Sequence, residues 1–261
     1  SNCRSSKAVS GASPRMAAEA PDTAFDERQF EAIYPAGVER HYWNICRNAI
    51  VADAVRSVGP GPVLEVGCGK GLIVADLRAR GIDITGVDLA PVDPVEAARD
   101  HVRTGVDLFD LDASGLADIR TVLLLDVIEH IEDAAGFVAR IRAFLPGVRN
   151  FIVTVPARQE LFCNYDEFNR HFRRYDLALV RAHLDPGGGR KWKASYFFHA
   201  LYPAAWMVLR LKGRRETRYH VPVSWTSRMI HRALGAFFRL DHALLPGRWK
   251  GTSIIATVSD R

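Results

Sequence analysis

The chain has 261 residues, 48 % of them hydrophobic, and a formal net charge of +5. That is an ordinary soluble, globular composition with enough apolar residues for one sizeable core. Its four cysteines, Cys3, Cys46, Cys68 and Cys163, lie far apart with no C-x-x-C pair. This argues against a disulfide framework or a zinc site and fits a reducing cytoplasm.

Taken in chain order, residues 1–24 are rich in Ser, Ala and Pro and lack the apolar stretch of a signal peptide; they read as a flexible tail outside the fold. A helical cap is expected over 25–60. The core, 61–157, alternates strands and helices. Strands are expected at 62–66, 83–89, 105–109, 120–126 and 149–157. Helices are expected at 71–80, at 93–102 with Asp93 as N-cap and Pro94 at its first position, and at 128–144. Such alternation argues for a parallel sheet with helices on both faces, and the run 122–125 suits a strand buried on both sides. Residues 158–261 change character. A polar, aromatic and basic loop, "DEFNRHFRRYD" (166–176), precedes a helix at 177–184 and the breaker "DPGGG". A strand at 191–198, a mostly helical insertion over about 199–249 and a closing strand at 252–259 follow.

The glycine loop after the first strand reads "VLEVGCGKG" (63–71). In an open α/β sheet, ligands bind beyond the carboxyl ends of the strands. Gly67, Gly69 and Gly71 let the backbone turn tightly and approach a ligand. Asp88 ends the second strand about 20 residues on, where a carboxylate accepts ribose hydroxyls. A nicotinamide enzyme would share that acid, but its G-x-G-x-x-G is broken here by Leu72. Glu65 instead offers a negative group for a ligand ammonium. The ligand should therefore carry an adenosine and an ammonium rather than a diphosphate.

Together "VLEVGCGKG", "ITGVDLA" (84–90) and "VLLLDVIEHIED" (122–133) resemble the successive signatures of class I S-adenosylmethionine-dependent methyltransferases. "RHYWNICRNAIV" (40–51) is similar to the leading segment of a bacterial subgroup, ubiquinone O-methyltransferases being among the similar proteins. The resemblance implies a Rossmann-like α/β fold: a seven-stranded, mostly parallel sheet with an antiparallel last strand, helices on both faces and the helical insertion before that strand. It implies S-adenosylmethionine as cofactor. Glu65, Gly67, Cys68 and Gly69 would border its methionine part, although Cys68 needs no thiol chemistry and reads better as a small packing residue. Asp88 and Leu89 would hold the ribose, Asp110 and Leu111 would meet the adenine with Asp112 as a rival acid, and Asp126 would lie beside the sulfonium. Loop capping accounts for Asp110 and Asp112 as well.

Methyl transfer to a hydroxyl needs a positioned acceptor and a base. His171 is the first candidate and His130 the second, with Arg173, Arg174 and Tyr175 orienting the acceptor; the arginines could instead pair with Asp166, Glu167 or Asp176. Asp126, Glu129 and His130 have i, i+3, i+4 spacing and would share one face of a helix beginning at the fourth strand's end. With His171 they could form an oxygen and nitrogen metal site, but no metal is expected, because Asp126 has the cofactor to serve and the resemblance extends to methyltransferases with the same "DVIEH" and no metal. The acceptor should be a small molecule, a glycan or a lipid-linked hydroxyl.

Charge is uneven along the chain. Residues 1–185 carry 21 Lys and Arg against 27 Asp and Glu, a balance of −6, and residues 186–261 carry 14 against 3, a balance of +11. This hints at an anionic partner for the C-terminal part, and a solvated basic surface explains it as well. The insertion runs from aromatic to basic, an order that suits either an interfacial helix on anionic lipid or a helical lid. No N/D-P-P-Y motif or RNA-binding module is present, so no nucleic-acid partner is expected. A cytoplasmic, at most membrane-associated, enzyme is expected. The rivals are a nucleic-acid methyltransferase and a non-catalytic cofactor-binding protein.

Overall fold

A computed structural model describes residues 32–217 and 220–260; the expected tail at 1–24 lies outside the described residues. Seven strands form one sheet: β1 Val63–Val66, β2 Ile84–Asp88, β3 Val102–Thr104, β4 Thr121–Leu125, β5 Asn150–Pro156, β6 Lys191–Phe197 and β7 Ser253–Ser259. Their spatial order is β3-β2-β1-β4-β5-β7-β6. β1 pairs in parallel with β2 and with β4, so Val63 faces both Ile84 and Thr121. Only β7 runs against its neighbours, β5 and β6. The sheet reverses its winding direction between β1 and β4, and a cleft must open there at the carboxyl ends of the strands.

The strands hold because successive side chains point to opposite faces. Leu64, Val66, Val122 and Leu124 face one core layer, and Val63, Leu123, Leu125 and Ile152 face the other. The first layer is covered by α3 (Ala134–Phe144) and α5 (Leu177–Leu184), through Val138, Ile141, Val180 and Leu184. The second is covered by α1 (Tyr42–Ser57) and α2 (Leu72–Ala79), through Ile50, Val51, Val74 and Leu77. The remaining helices are the short α4 (Asn164–Phe168), α6 (Leu201–Lys212) and α7 (Trp225–Leu244). Side-chain caps set several starts: Asp133 accepts from the Gly136 N–H, Asp176 from that of Leu179 and Ser224 from that of Ser227, each supplying a partner the first helical turn lacks.

Three expected elements differ. The third strand lies at 102–104 rather than 105–109, because Gly105 turns the chain at φ 72° and the Asp107 carboxylate accepts from the Phe109 N–H at 3.0 Å. That local bond competes with strand pairing and winds Leu108–Asp110 into a 3-10 turn. The α-helix expected at 93–102 is a 3-10 segment, Glu96–His101, with no side-chain cap; the Val95 N–H donates to the Lys70 carbonyl at 2.9 Å, which holds the segment's start against the glycine loop. The helix expected from 128 begins at Ala134 under the Asp133 cap, after a separate 3-10 turn at Ile128–His130. Asp126, Glu129 and His130 therefore do not share one α-helical face.

Candidate active site

The cleft is a cavity of about 940 Å³ walled by the strand ends, α1, the 166–176 loop and the insertion. The glycine loop shapes one end. Gly67 and Gly69 have φ of 78° and 53°. A Cβ at Gly67 would stand 2.7 Å from Val127, and one at Gly69 2.9 Å from the Tyr34 hydroxyl. Only glycine fits both that backbone and the close approach of Val127 and Tyr34. Asp88 sits beside it and accepts from the backbone N–H groups of Gly69 at 2.6 Å and Ala90 at 2.8 Å. Burial pushes its carboxyl up despite those two bonds. Gly67, Gly69, Asp88, Leu89 and Asp126 all line the cavity.

Asp126 has a left-handed backbone, φ 58°, which carries the chain out of β4. Its carboxylate accepts from Arg47 at 2.6 Å, and the Arg47 guanidinium lies 4.6 Å from the centre of the Trp43 ring. Helical spacing puts Trp43 and Arg47 on one side of α1, both on the cavity wall. Glu65 is buried and does not line the cavity. Burial drives its carboxyl up to about 8, with Arg47 pulling it down and Asp88 and Asp126 adding to the rise. One of its oxygens, Oε2, is buried without a hydrogen-bond partner. Cys68 does not line the cavity either: its side chain packs against Gly86, where an added Cβ would stand 2.7 Å away, and burial raises its thiol pKa.

Along the loop after β3, the wall is Val106, Asp107, Leu108 and Phe109, with Phe137 and Arg140 of α3. The Arg140 guanidinium stacks 3.5 Å from the Phe109 ring centre. Asp110 and Leu111 are absent from the wall; Asp110 is exposed and Leu111 packs on the core. Asp112 caps Ser114 at the surface. The Asp107 turn moves the cavity-facing register earlier by about one helical turn.

The 166–176 loop supplies a second wall. His171, His130, Glu129, Asn169 and Arg174 face the same cavity as Gly67 and Asp88. His171 Nδ1 is 2.9 Å from the Asp166 carboxylate, and Arg174 Nε donates to the same oxygen at 2.8 Å. Asp166 is fully buried; burial alone would raise its pKa, but His171 and Arg174 win and hold it below the usual range. The His130 ring meets that of His171 edge-on, centroids 4.7 Å apart. Burial, then the neighbouring His171 ring, push His130 down to about 3. Glu129 is fully buried with neither carboxylate oxygen hydrogen-bonded; burial, then Asp126, hold its pKa well above the usual range. Among the described residues, Glu129, His130 and His171 bring ligand atoms within 4.8 Å of one another, and Asp126 is not part of that group.

Two residues expected on the acceptor side lie elsewhere. Tyr175 is a core residue with no exposure, and its hydroxyl donates to the Ile128 carbonyl at 3.0 Å. It forms a parallel bridge with Ala157, which turns its ring inward. Arg173 donates to the Glu132 carbonyl at 2.8 Å and borders a separate hollow of about 350 Å³. Arg174 does reach the cavity, already paired with Asp166. Sequence reasoning missed Tyr34, Phe109, Arg140 and the anchoring role of Asp166. Arg47 carried a signal, since it follows Trp43 by four residues in the segment 40–51.

Residues 42–193 match a family described as "Methyltransferase domain". The ubiquinone biosynthesis O-methyltransferase of Xylella fastidiosa strain 9a5c is 30 % identical over 158 residues, which cover 56 % of this chain and 58 % of the relative. The same-named protein of Xanthomonas euvesicatoria pv. vesicatoria is 32 % identical over 180 residues, 64 % of this chain and 68 % of the relative. The chain thus spans less than two thirds of the first of these relatives. Among solved structures, phosphoethanolamine N-methyltransferase 2 of Haemonchus contortus, in complex with S-adenosyl-L-methionine, is 16 % identical at a TM-score of 0.49, over 90 % of this chain and 56 % of that one. With the family match spanning more than half its length, the chain belongs to the class I S-adenosylmethionine-dependent methyltransferases.

Proposed function

We propose that the protein transfers a methyl group from S-adenosylmethionine to a hydroxyl of a small-molecule, glycan or lipid-linked acceptor. The cavity's glycine-loop end fits the cofactor on two observations. The left-handed Gly67–Gly69 turn lines the cavity beside Asp88, and a buried, half-unpartnered carboxylate at Glu65 lies behind it. Asp88 would take the ribose hydroxyls. Phe109, with Val106 and Leu108, would flank the adenine in place of Asp110 and Leu111. Glu65 would stand near the methionine ammonium, Arg47 would meet its carboxylate, and Asp126 would lie beside the sulfonium. When bound, the cofactor supplies a methyl group already activated on a sulfonium, so the protein's part is to place the acceptor and manage its proton.

The observation that carries the reading is the Asp166–His171 pair on the wall of the same cavity. Asp166, held ionised by Arg174, fixes the His171 proton on Nδ1 and leaves Nε2 free to accept the acceptor's hydroxyl proton. Arg174 is then a positioning residue acting through Asp166. Purified protein, labelled donor and fractionated cell extract test this: label should appear on an alcohol or phenol oxygen, and label confined to nitrogen or to RNA would reject it.

One observation favours a second reading of the chemistry. Glu129 has two unpartnered buried oxygens beside His130 and His171, a donor set of the kind that holds a divalent cation. There these three residues would be ligands, and a bound ion would lower the hydroxyl pKa in place of a histidine base. Chelation separates the two. Turnover intact after exhaustive chelation supports the histidine base, and turnover lost and restored by a divalent ion supports the cation.

A further inference from the structure

Helices α6 and α7 turn apolar faces to solvent. On α7, Gly235, Phe238 and Asp241 face inward. The opposite side carries Trp225, Met229, Phe237, Leu240 and Leu244, with Trp225 74 % and Leu244 72 % exposed. A surface helix on a soluble protein is normally polar on that side. Arg232 and Arg239, both exposed, run along one flank of the apolar stripe. On α6 no residue is buried. One side of it lines the cavity through Leu201, Ala204, Ala205 and Leu209, while Trp206, Met207 and Leu211 are exposed, Leu211 by 79 %. Asp241 ties the helices together, accepting from the N–H groups of His199 at 2.8 Å and Ala200 at 3.2 Å. Neither helix crosses a membrane: among the described residues none is long and apolar enough.

Something apolar should cover these faces, and charge selects it. Residues 199–250 contain ten Lys and Arg against two acids, Glu216 and Asp241, and Asp241 is buried. A second copy docked on the same face would bring like charges together across a twofold axis. An anionic lipid surface instead complements both features, because a helix with Trp, Phe and Leu on one side and arginines at its border lies in the headgroup boundary. We propose that the α6–α7 insertion docks the enzyme on an anionic bilayer. The Trp225–Leu244 stripe and the Trp206, Met207 and Leu211 face enter the boundary layer, and Arg232 on the flank of the stripe meets lipid phosphate, while Arg239 pairs with Asp53. In this placement α6 is the wall between bilayer and cavity.

The test needs no turnover, so it stands or falls independently of the methyl-transfer reading. Full-length protein is mixed with vesicles of phosphatidylcholine, with and without phosphatidylglycerol, and sedimented. Binding should require phosphatidylglycerol and weaken as salt rises. The double variant Phe237→Glu, Leu240→Glu should reduce partitioning by roughly tenfold or more, and Arg232→Glu by roughly fivefold or more, at ~1 kcal/mol for each basic side chain near the surface. Unchanged melting and unchanged S-adenosylhomocysteine binding would show that the variants fold. Equal binding to neutral vesicles, or no binding to either, overturns the proposal. So does a stable dimer in sedimentation velocity that Phe237→Glu, Leu240→Glu dissociates.

Discussion

The two ends of the cavity are built by different means. The glycine-loop end comes from three neighbouring parallel strands, and its key groups sit at strand termini. Gly67 and Gly69 follow β1, Asp88 closes β2 and Asp126 follows β4. The partners of Asp88 are backbone amides two or three residues from a strand end, those of Gly69 and Ala90. The histidine end is assembled from side chains bonded to side chains. Asp166 holds His171 and Arg174 together, and Glu129 and His130 arrive from a separate turn after β4. The first end is a property of the sheet's register, and a substitution there should spare the chemistry of the second. The second is a network, in which one change disturbs several members.

The sharpest break of that division is His171→Ala. Turnover should fall by roughly a hundredfold or more, the usual contribution of a positioned base, with S-adenosylhomocysteine affinity unchanged by calorimetry. Asp166→Asn should follow in the same direction with a smaller loss. The amide keeps the shape but no longer fixes the Nδ1 proton or balances Arg174, so the pH–rate profile should shift along with kcat. A structural role alone would lower the melting temperature and leave that profile in place. If His171→Ala weakens cofactor binding as much as it slows turnover, the two ends are one unit and the division fails.

At the other end, Asp88→Ala should cost about tenfold or more in S-adenosylhomocysteine affinity, the ~1.5 kcal/mol of a hydrogen bond to a charged group, with turnover at saturating donor nearly retained. Gly67→Ala should act on the same parameter and also on stability. It places a Cβ at φ 78° against Val127, and the left-handed backbone alone costs ~1–2 kcal/mol. A variant that melts like the parent and binds like it would mean that the loop does not need glycine at this turn.

The same division explains what could be read in the sequence. The alternating strands and the strand-end acid Asp88 are local signals, set by hydrophobic period and by the residue that ends each run, whereas the antiparallel seventh strand and the place of Asp126 come from the resemblance to the methyltransferase family. The wall after β3 was misplaced because an Asx turn at Asp107, worth only one hydrogen bond, decides the register, and Asp is common enough that 107, 110 and 112 look alike in sequence. Tyr175 looked like a loop residue beside two arginines. A single parallel bridge with Ala157 turns it into the core, and no periodicity announces one bridge. Asp166 was visible only as one of several salt-bridge partners. That it orients a histidine depends on a turn of five residues closing on itself. The insertion reads as aromatic then basic over its first part, but the apolar solvent face of α7 depends on the inward turn of Phe238 and Asp241, and only packing settles that.

The smallest expected effect concerns Glu65 and sharpens the division most finely. Burial lifts its carboxyl from the ordinary 4.5 to about 8. The native protein therefore holds a proton that the unfolded chain has released between those values, and the stability contributed by this group falls as pH rises through that window. At pH 7 the group is mostly neutral before any ligand arrives. A ligand ammonium nearby favours the carboxylate, so binding should expel the proton, and affinity should rise with pH until about 8. Glu65→Gln resembles the neutral form and should weaken S-adenosylhomocysteine binding at pH 7 by only a few-fold, well under the 1.36 kcal/mol that one pKa unit represents. What it should remove is the proton. Calorimetry in two buffers of different ionisation enthalpy should show a fractional proton released by the wild type and none by Glu65→Gln, while His171→Ala releases as much as the wild type. Equal proton release from the wild type and Glu65→Gln would mean that the ammonium is held elsewhere, with the Arg47–Asp126 pair as the first place to look.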